Sequence, residues 1–173
     1  MTHVNHTFGP WFDARSRVLV LGTMPSPKSR EDGLYYAHRQ NRFWRVLPAL
    51  YGLPSLVGHI PEQKQFLTEH HIALWDVLES CDICGASDAS IRNPVPNDMN
   101  VVFSQAPIRA VFTTGTKAGA LYRKHCFPFC GREAITLPST SPANCAVSFE
   151  QLLERYAVIR QTAEQEIEKG VLK

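Results

Sequence analysis

No apolar run in this chain approaches the roughly 18 residues that a membrane span needs. The longest candidate is Val18-Leu19-Val20-Leu21. Met1 to Arg17 holds His, Asn, Pro and Asp13 and lacks the apolar core of a secretory signal. No internal repeat or low-complexity tract appears, so collagen, coiled coil and wholesale disorder are set aside. Charge is nearly balanced: 18 Lys and Arg against 16 Asp and Glu leave +2. That balance suits a nucleic-acid partner and is too weak to establish one. A disulfide framework is missing too. Five cysteines, an odd count without an export signal, read as reduced thiols in a cytoplasm. Cys81-x-x-Cys84 has zinc-like spacing, and Cys126-x3-Cys130 follows with His125 beside it. The second pair is looser and remote in sequence. Small buried thiols are therefore preferred over a four-thiolate site, and no metal or other cofactor is expected.

What is present is ordinary globular material: 173 residues, 44% hydrophobic and 20% charged. At about 150 residues per domain, this predicts a single domain over 1–173 with a core from about residue 15 to about 165. A chain of this size buries roughly 68–70% of its unfolded surface without staples. Short apolar runs alternate with amphipathic stretches. Arg17 to Leu21 reads as a strand ended by Gly22. Asn41 to Tyr51 carries a helical stripe of Phe43, Trp44, Leu47, Leu50 and Tyr51, which Pro48 should kink or shorten. Pro61 to His71 reads as a helix, Ile72 to Trp75 and Ile108 to Phe112 as strands, and Thr116 to Lys124 as a helix. Glu133 to Leu137 is a fourth strand. Phe149 to Lys169 is a long last helix, capped by Ser148. The alternation predicts an α/β fold: three layers, α/β/α, around a central four-stranded, mainly parallel sheet. Ligands bind beyond the carboxyl ends of such strands. The segments to read for function are Gly22 to Arg42, Asp76 to Asn100, Thr113 to Lys117 and Pro138 to Asn144.

Gly22-Thr23-Met24-Pro25-Ser26-Pro27 makes a rigid loop that lets backbone approach a ligand, but it lacks the glycines and Lys-Ser/Thr of a P-loop. Alone it is an ordinary strand-ending turn. Tyr35-Tyr36-Ala37-His38-Arg39-Gln40-Asn41-Arg42-Phe43-Trp44 sets aromatics among cations and amides, which suits a stacked base with phosphates nearby. Phe43 and Trp44 read as core, whereas the polar ends of Tyr35, Tyr36 and Asn41 need partners. Leu137-Pro138-Ser139-Thr140-Ser141-Pro142-Ala143-Asn144 is a stiff hydroxyl-rich loop. Such a loop can hold phosphate or push a small apolar tip between bases.

In this order, the segments resemble the uracil-DNA glycosylase superfamily from Arg17 to about Phe149. Leu21-Gly22-Thr23-Met24-Pro25 resembles its first motif. Tyr36-Ala37-His38 and Asn41-Arg42-Phe43-Trp44 resemble the Phe-Ala-His and Asn-Arg-Phe-Trp of its mismatch-specific branch. Ile72 to Val77 resembles the strand that ends in the base-reading residue, Ala110 to Gly115 the third strand, and Leu137-Pro138-Ser139 the second motif. Met24 stands where many members carry a carboxylate or Asn, and Leu137 where many carry His. Both departures, with the tyrosine and serine–proline segments retained, look most like the hypoxanthine (deoxyinosine) DNA glycosylase branch. The iron–sulfur cysteine spacing of other branches is not matched.

The resemblance implies a hydrolase that flips a deaminated base out of DNA and cuts its N-glycosyl bond. Asn41 is the implied catalytic residue, either orienting water or bonding the base. Tyr36, Asp76, Gly22, Thr23, Met24 and Pro25 would receive the base. Ser26, His38, Ser139, Thr140, Ser141, Pro142, Ala143 and Asn144 would meet DNA, with Pro142 and Ala143 as the wedge. At Asp76 a carboxylate accepts from N1–H of hypoxanthine but has nothing to accept from N1 of adenine; a cap or turn role after the strand is the other reading. No lysine is marked as a Schiff-base nucleophile, so a monofunctional enzyme is expected, acting as a monomer on DNA and without a membrane. Gly85 to Ser90 and Asn97-Asp98 are secondary candidates. The alternatives are a uracil or thymine mismatch glycosylase, a non-catalytic nucleic-acid-binding module of the same fold, and a thiol- or metal-dependent protein using Cys81 and Cys84.

Overall fold

Runs of aliphatic residues become adjacent strands at the centre of the molecule, seen in a computed structural model that describes residues 1–166. In chain order the elements are β1 (Thr2–Asn5), β2 (Val18–Gly22), α1 (Pro27–Asp32), α2 (Phe43–Ala49), α3 (Ile60–His70), β3 (Ile72–Asp76) and β4 (Leu78–Cys84). Then come β5 (Ser87–Pro96), α4 (Asn100–Phe103), β6 (Ala110–Thr114), α5 (Thr116–His125), α6 (Phe127–Cys130), β7 (Ala134–Leu137) and α7 (Phe149–Glu164). The central sheet runs β3-β2-β6-β7 and every pairing in it is parallel. All residues of β2 and β3 are buried, as continuous apolar strands covered on both faces must be. On one side α2 and α3 pack with α7, while α5 packs on β6 and β7. Right-handed connections from β2 to β3 and from β6 to β7 travel in opposite directions, which sends their helices to opposite faces. The strand order therefore reverses between β2 and β6, and a crevice opens at their carboxyl ends.

Local chemistry sets the ends of these elements. Ser148 caps α7 in a reciprocal box: its hydroxyl accepts from Gln151 N (3.1 Å), and Gln151 Oε1 accepts from Ser148 N (2.8 Å). Pro48 lies one residue before the end of α2, so the shortening expected of it is what occurs. α7 stops at Glu164, where Gln165 leaves the helix with ψ 124°, short of the expected run to Lys169; Lys169 itself lies outside the described residues.

Two segments differ from expectation. Gly22 to Arg42 is not all loop: Ser26 caps α1, its hydroxyl accepting from Ser29 N (3.2 Å), with Pro27 at the first position. Asp76 to Asn100 is not a loop either. β4 and β5 form an irregular hairpin, and β1 pairs with β4 to make a second sheet, β1-β4-β5, antiparallel throughout. Pro94 and Pro96 argue against a strand by composition, but β5 is an edge strand, where missing N–H donors are tolerated. The register shifts along β4 and β5 also break the alternation that marks a half-buried strand.

Candidate active site

The carboxyl ends of the parallel strands open into a cleft of about 990 Å³. Its floor begins where Gly22 of β2 sits in register with Asp76 of β3. A Cβ on Gly22 would stand 2.5 Å from Asp76 Oδ1 and 3.3 Å from the Tyr36 hydroxyl, so β2 must end in glycine. The Asp76 side chain is 5% exposed, and its Oδ2 lies 2.8 Å from His6 Nε2, whose ring is 4% exposed. Burial holds the Asp76 carboxyl above the ordinary carboxylate value, and the hydrogen bond with His6 works against that rise. Asn97 Nδ2 donates to the Asp76 carbonyl (2.9 Å), which ties the end of β3 to the chain following β5.

Tyr36 forms the next wall. Its ring stacks on Phe43 at 3.8 Å and 14°, so one of its two faces is already covered. Its backbone has φ +56°, a left-handed conformation that costs a bulky residue about 1–3 kcal/mol and gathers at functional sites. The Thr114 hydroxyl spends its hydrogen on the Leu21 carbonyl (3.3 Å) and accepts from the Tyr36 hydroxyl at 2.9 Å. Burial, then the negative charge of Asp76, push the Tyr36 hydroxyl well above its usual value, which keeps it a neutral donor. Tyr35 turns the other way, into the core, with its hydroxyl on the Gly9 carbonyl (2.9 Å).

Asn41 stands at the opening of α2. Its Oδ1 accepts from Phe43 N (2.9 Å) and from the Thr140 hydroxyl (2.7 Å). Phe43 N can only donate, which fixes which end of the amide is oxygen. Both acceptor positions are thus in use, and Nδ2 is the end left for the cleft. Thr140 is 1% exposed, so its hydroxyl cannot grip phosphate as expected; it holds Asn41 instead.

The rest of the Pro138–Asn144 loop is fixed from within. Arg42, one of the cations expected near phosphates, points inward and donates to the Asn144 (2.8 Å), Ser141 (3.4 Å) and Val147 carbonyls. Its own N–H donates to the Thr140 carbonyl (3.0 Å). Asn144 Nδ2 donates to the Ser139 carbonyl (2.9 Å), and Tyr156 donates to that of Pro138 (2.6 Å). The Ser139 and Ser141 hydroxyls accept from Ser141 N (3.1 Å) and Ala143 N (3.2 Å). Pro142 and Ala143 are left exposed at the tip.

The residues expected to serve catalysis, base binding and DNA contact all line this one cleft: Gly22, Thr23, Met24, Pro25, Ser26, Tyr36, His38, Asn41, Asp76 and the run from Ser139 to Asn144. Asp88, a secondary candidate, lines it as well, whereas Asn97 acts through the Asp76 carbonyl. Asp88 sits on an exposed stretch of β5, but the cleft around its carboxyl partly desolvates it and raises it above its usual value; the Thr23 hydroxyl lowers it, the charge of Asp76 raises it, and Lys117 lowers it. Sequence reasoning missed His6 and the inward role of Arg42, and it placed Thr114 and Lys117 in a segment to be read for function, Thr113 to Lys117, without giving either a role. His6 had no signal, being a lone histidine in an unassigned segment. Lys117 opens the helix after a parallel strand, a recurrent ligand position. Among the described residues no three or more His, Cys, Asp and Glu gather to hold a metal ion, and all five cysteines are free. No helix among them is long and apolar enough to cross a membrane.

Known proteins resemble this chain along most of its length. The profile of the Uracil DNA glycosylase superfamily matches residues 10–161. A hypoxanthine DNA glycosylase from Methanosarcina acetivorans is 30% identical over 159 residues, 91% of this chain and 99% of the relative. One of the same name from Methanosarcina barkeri is 29% identical over 138 residues, 79% of this chain and 86% of the relative. A solution NMR structure of a candidate uracil DNA glycosylase from Methanosarcina acetivorans aligns with TM-score 0.77 at 30% identity, covering 95% of this chain and 100% of that one.

Proposed function

This chain belongs to the uracil DNA glycosylase superfamily, and on that premise we propose that it is a monofunctional hydrolase that flips hypoxanthine out of DNA and excises it. The observation that carries the reading is that an acceptor, Asp76, a donor, the Nδ2 of Asn41, and the aromatic Tyr36 line one cleft. Deamination of adenine turns ring N1 from an acceptor into a donor and the exocyclic amine into a carbonyl. An ionised Asp76 matches the new N1–H and repels the lone pair of adenine N1. The same exchange separates uracil from cytosine, so uracil is the second base this site would accept.

The base leaves its stack at a cost of a few kcal/mol, least for a poorly paired lesion. Tyr36 offers the ring face not covered by Phe43, and base–aromatic stacking is worth about 1–3 kcal/mol. The bond from C1′ to the base nitrogen breaks with its electron pair going to the base, while water adds its oxygen to C1′ and the proton it loses ends on the departing base. Positive charge grows on the sugar and negative charge on the base. Met24 offers no general base, and the Asn41 oxygen is already saturated. Asn41 therefore acts as a donor, stabilising charge on the leaving base, and does not accept the proton of water. The products are free base and an abasic sugar. The stapled Pro138–Asn144 loop meets the DNA backbone through Ser139 and Ser141, and Pro142 and Ala143 fill the gap that the base leaves. Ser26, His38 and the exposed Lys and Arg around the cleft add backbone contacts.

The test is a labelled DNA panel carrying one hypoxanthine, uracil, xanthine or thymine mismatch, followed by alkaline cleavage. Cleavage at hypoxanthine is the expected result. Cleavage at uracil or the mismatch alone would overturn the base assignment. Binding without cleavage at any lesion would mark a non-catalytic DNA-binding module.

A further inference from the structure

The superfamily profile begins at residue 10, yet the site contains a histidine from ahead of it. β1 pairs with β4, and the His6 N–H donates to the Glu79 carbonyl (2.7 Å), which carries the chain past the end of β3. The His6 ring lands 2.8 Å from Asp76 Oδ2 and packs on Phe8, with ring centres 4.7 Å apart. Its other nitrogen, Nδ1, is buried and has no partner. A ring that donated from both nitrogens would leave an N–H stranded in the interior, whereas a bare lone pair there costs less. His6 is therefore the Nε2–H tautomer and donates to Asp76. Oδ1, the oxygen lying over Gly22, is left facing the floor of the cleft.

We propose that His6 is a specificity-determining positioning residue: by donating to Oδ2 it fixes the Asp76 carboxylate and keeps Oδ1 a pure acceptor toward the N1–H of hypoxanthine. The inference rests on the reading of Asp76 given above. A protonated Asp76 would be a donor, complementary to N1 of adenine and mismatched to hypoxanthine. The other ionisable groups around Asp76 do not take over the task. Tyr35 and Tyr36, on the segment after α1, stay neutral because burial raises them. Asp88, on β5, adds negative charge that works against a second carboxylate. His6 is the partner that opposes the effect of burial on Asp76.

The experiment measures kcat and KM on hypoxanthine-containing and all-adenine duplexes from about pH 5 to about pH 9, using the parent, His6→Ala, His6→Gln and His6→Asn. A Gln amide reaches where Nε2 lies and can donate there; an Asn amide stops short, near Nδ1. His6→Ala and His6→Asn should lose about tenfold or more in hypoxanthine excision at neutral pH and recover as pH rises. His6→Gln should keep the parent profile. If His6→Ala fails to fold, the contrast between Gln and Asn decides the matter. Matching pH profiles for Gln and Asn, or for Ala and the parent, would overturn the role of His6. A parent without hypoxanthine excision would instead overturn the base assignment.

Discussion

The two sheets of this molecule do different work at one site. The parallel sheet β3-β2-β6-β7 makes the cleft: its ends supply Gly22, Asp76, Thr114 and the start of the Pro138–Asn144 loop. The antiparallel sheet β1-β4-β5 adds Ile83, Ser87 and Asp88 to the wall of that cleft and brings His6 behind Asp76. On the reading proposed above, the first would set where the reacting groups stand. The second would set the charge of the carboxylate between them. If that division holds, substitutions anchored to the parallel sheet should slow excision of every base alike. Substitutions in or against the small sheet should change pH dependence and base preference.

The largest effect falls on the first side. Asn41→Ala removes the free Nδ2 donor and the Oδ1 that accepts both anchoring hydrogen bonds. Losing one donor aimed at developing negative charge costs roughly a hundred- to a thousand-fold in rate. Single-turnover excision should fall by that much at every pH, while a mobility-shift assay shows DNA binding within a few-fold of the parent. A matching loss of binding would instead make Asn41 part of the DNA grip.

Asp76→Asn lies on the boundary between the two sheets and separates them more finely. Burial raises the Asp76 carboxyl. Activity that needs it ionised should therefore be low in acid and rise as pH climbs through a midpoint above the ordinary carboxylate range, near 4. The Asn variant should show a flat acidic limb. It should lose about tenfold or more on hypoxanthine, the worth of one buried hydrogen bond to a charged group. Its amide can present a donor to N1 of adenine, so the ratio of hypoxanthine to adenine excision should narrow. A variant that keeps the parent's acidic limb would assign that limb to another group.

Thr140→Val tests support rather than contact. The hydroxyl donates to Asn41 Oδ1 (2.7 Å) and is sealed from solvent, so the change removes one anchor and little shape. A net hydrogen bond of about 1 kcal/mol corresponds to roughly a five-fold loss. The loss should appear in kcat, not in KM or in pH dependence. A rise in KM would mean that Thr140 meets DNA after all.

The legibility of the sequence follows the same division. Parallel strands covered on both faces are apolar throughout, so Val18–Leu21, Ile72–Trp75 and Val111–Phe112 declare themselves. The turns after them, rich in Gly, Pro, Ser and Thr, mark the cleft. β4 and β5 hide behind register shifts, two prolines and polar side chains on an edge strand. β1 is four residues long, and its partner lies nearly eighty residues away, a pairing that no local pattern encodes. His6 inherits that silence. Thr140 and Arg42 were legible as polar loop residues, but whether such groups turn inward or outward depends on carbonyls that only the folded loop gathers together.

The smallest expected effect lies wholly on the second side. Asp88 is on the exposed stretch of β5, and its charge and that of Asp76 disfavour each other's ionisation. The interaction is reciprocal, so Asp88→Asn should ease ionisation of Asp76 and move the acidic limb of hypoxanthine excision to lower pH. Solvent screens an exposed charge, and pairs of this kind are worth about 0.2–1 kcal/mol, which caps the movement below about one pH unit. At neutral pH the rate should change by less than about threefold, because Asp88 is assigned no step in bond breaking. The shift should shrink as salt is raised, with a screening length of about 8 Å at 0.15 M. A shift that ignores salt would mean that Asp88 acts through contact. A loss of activity at every pH would place Asp88 among the groups handling water, and the small sheet would then share in the chemistry that the parallel sheet otherwise holds.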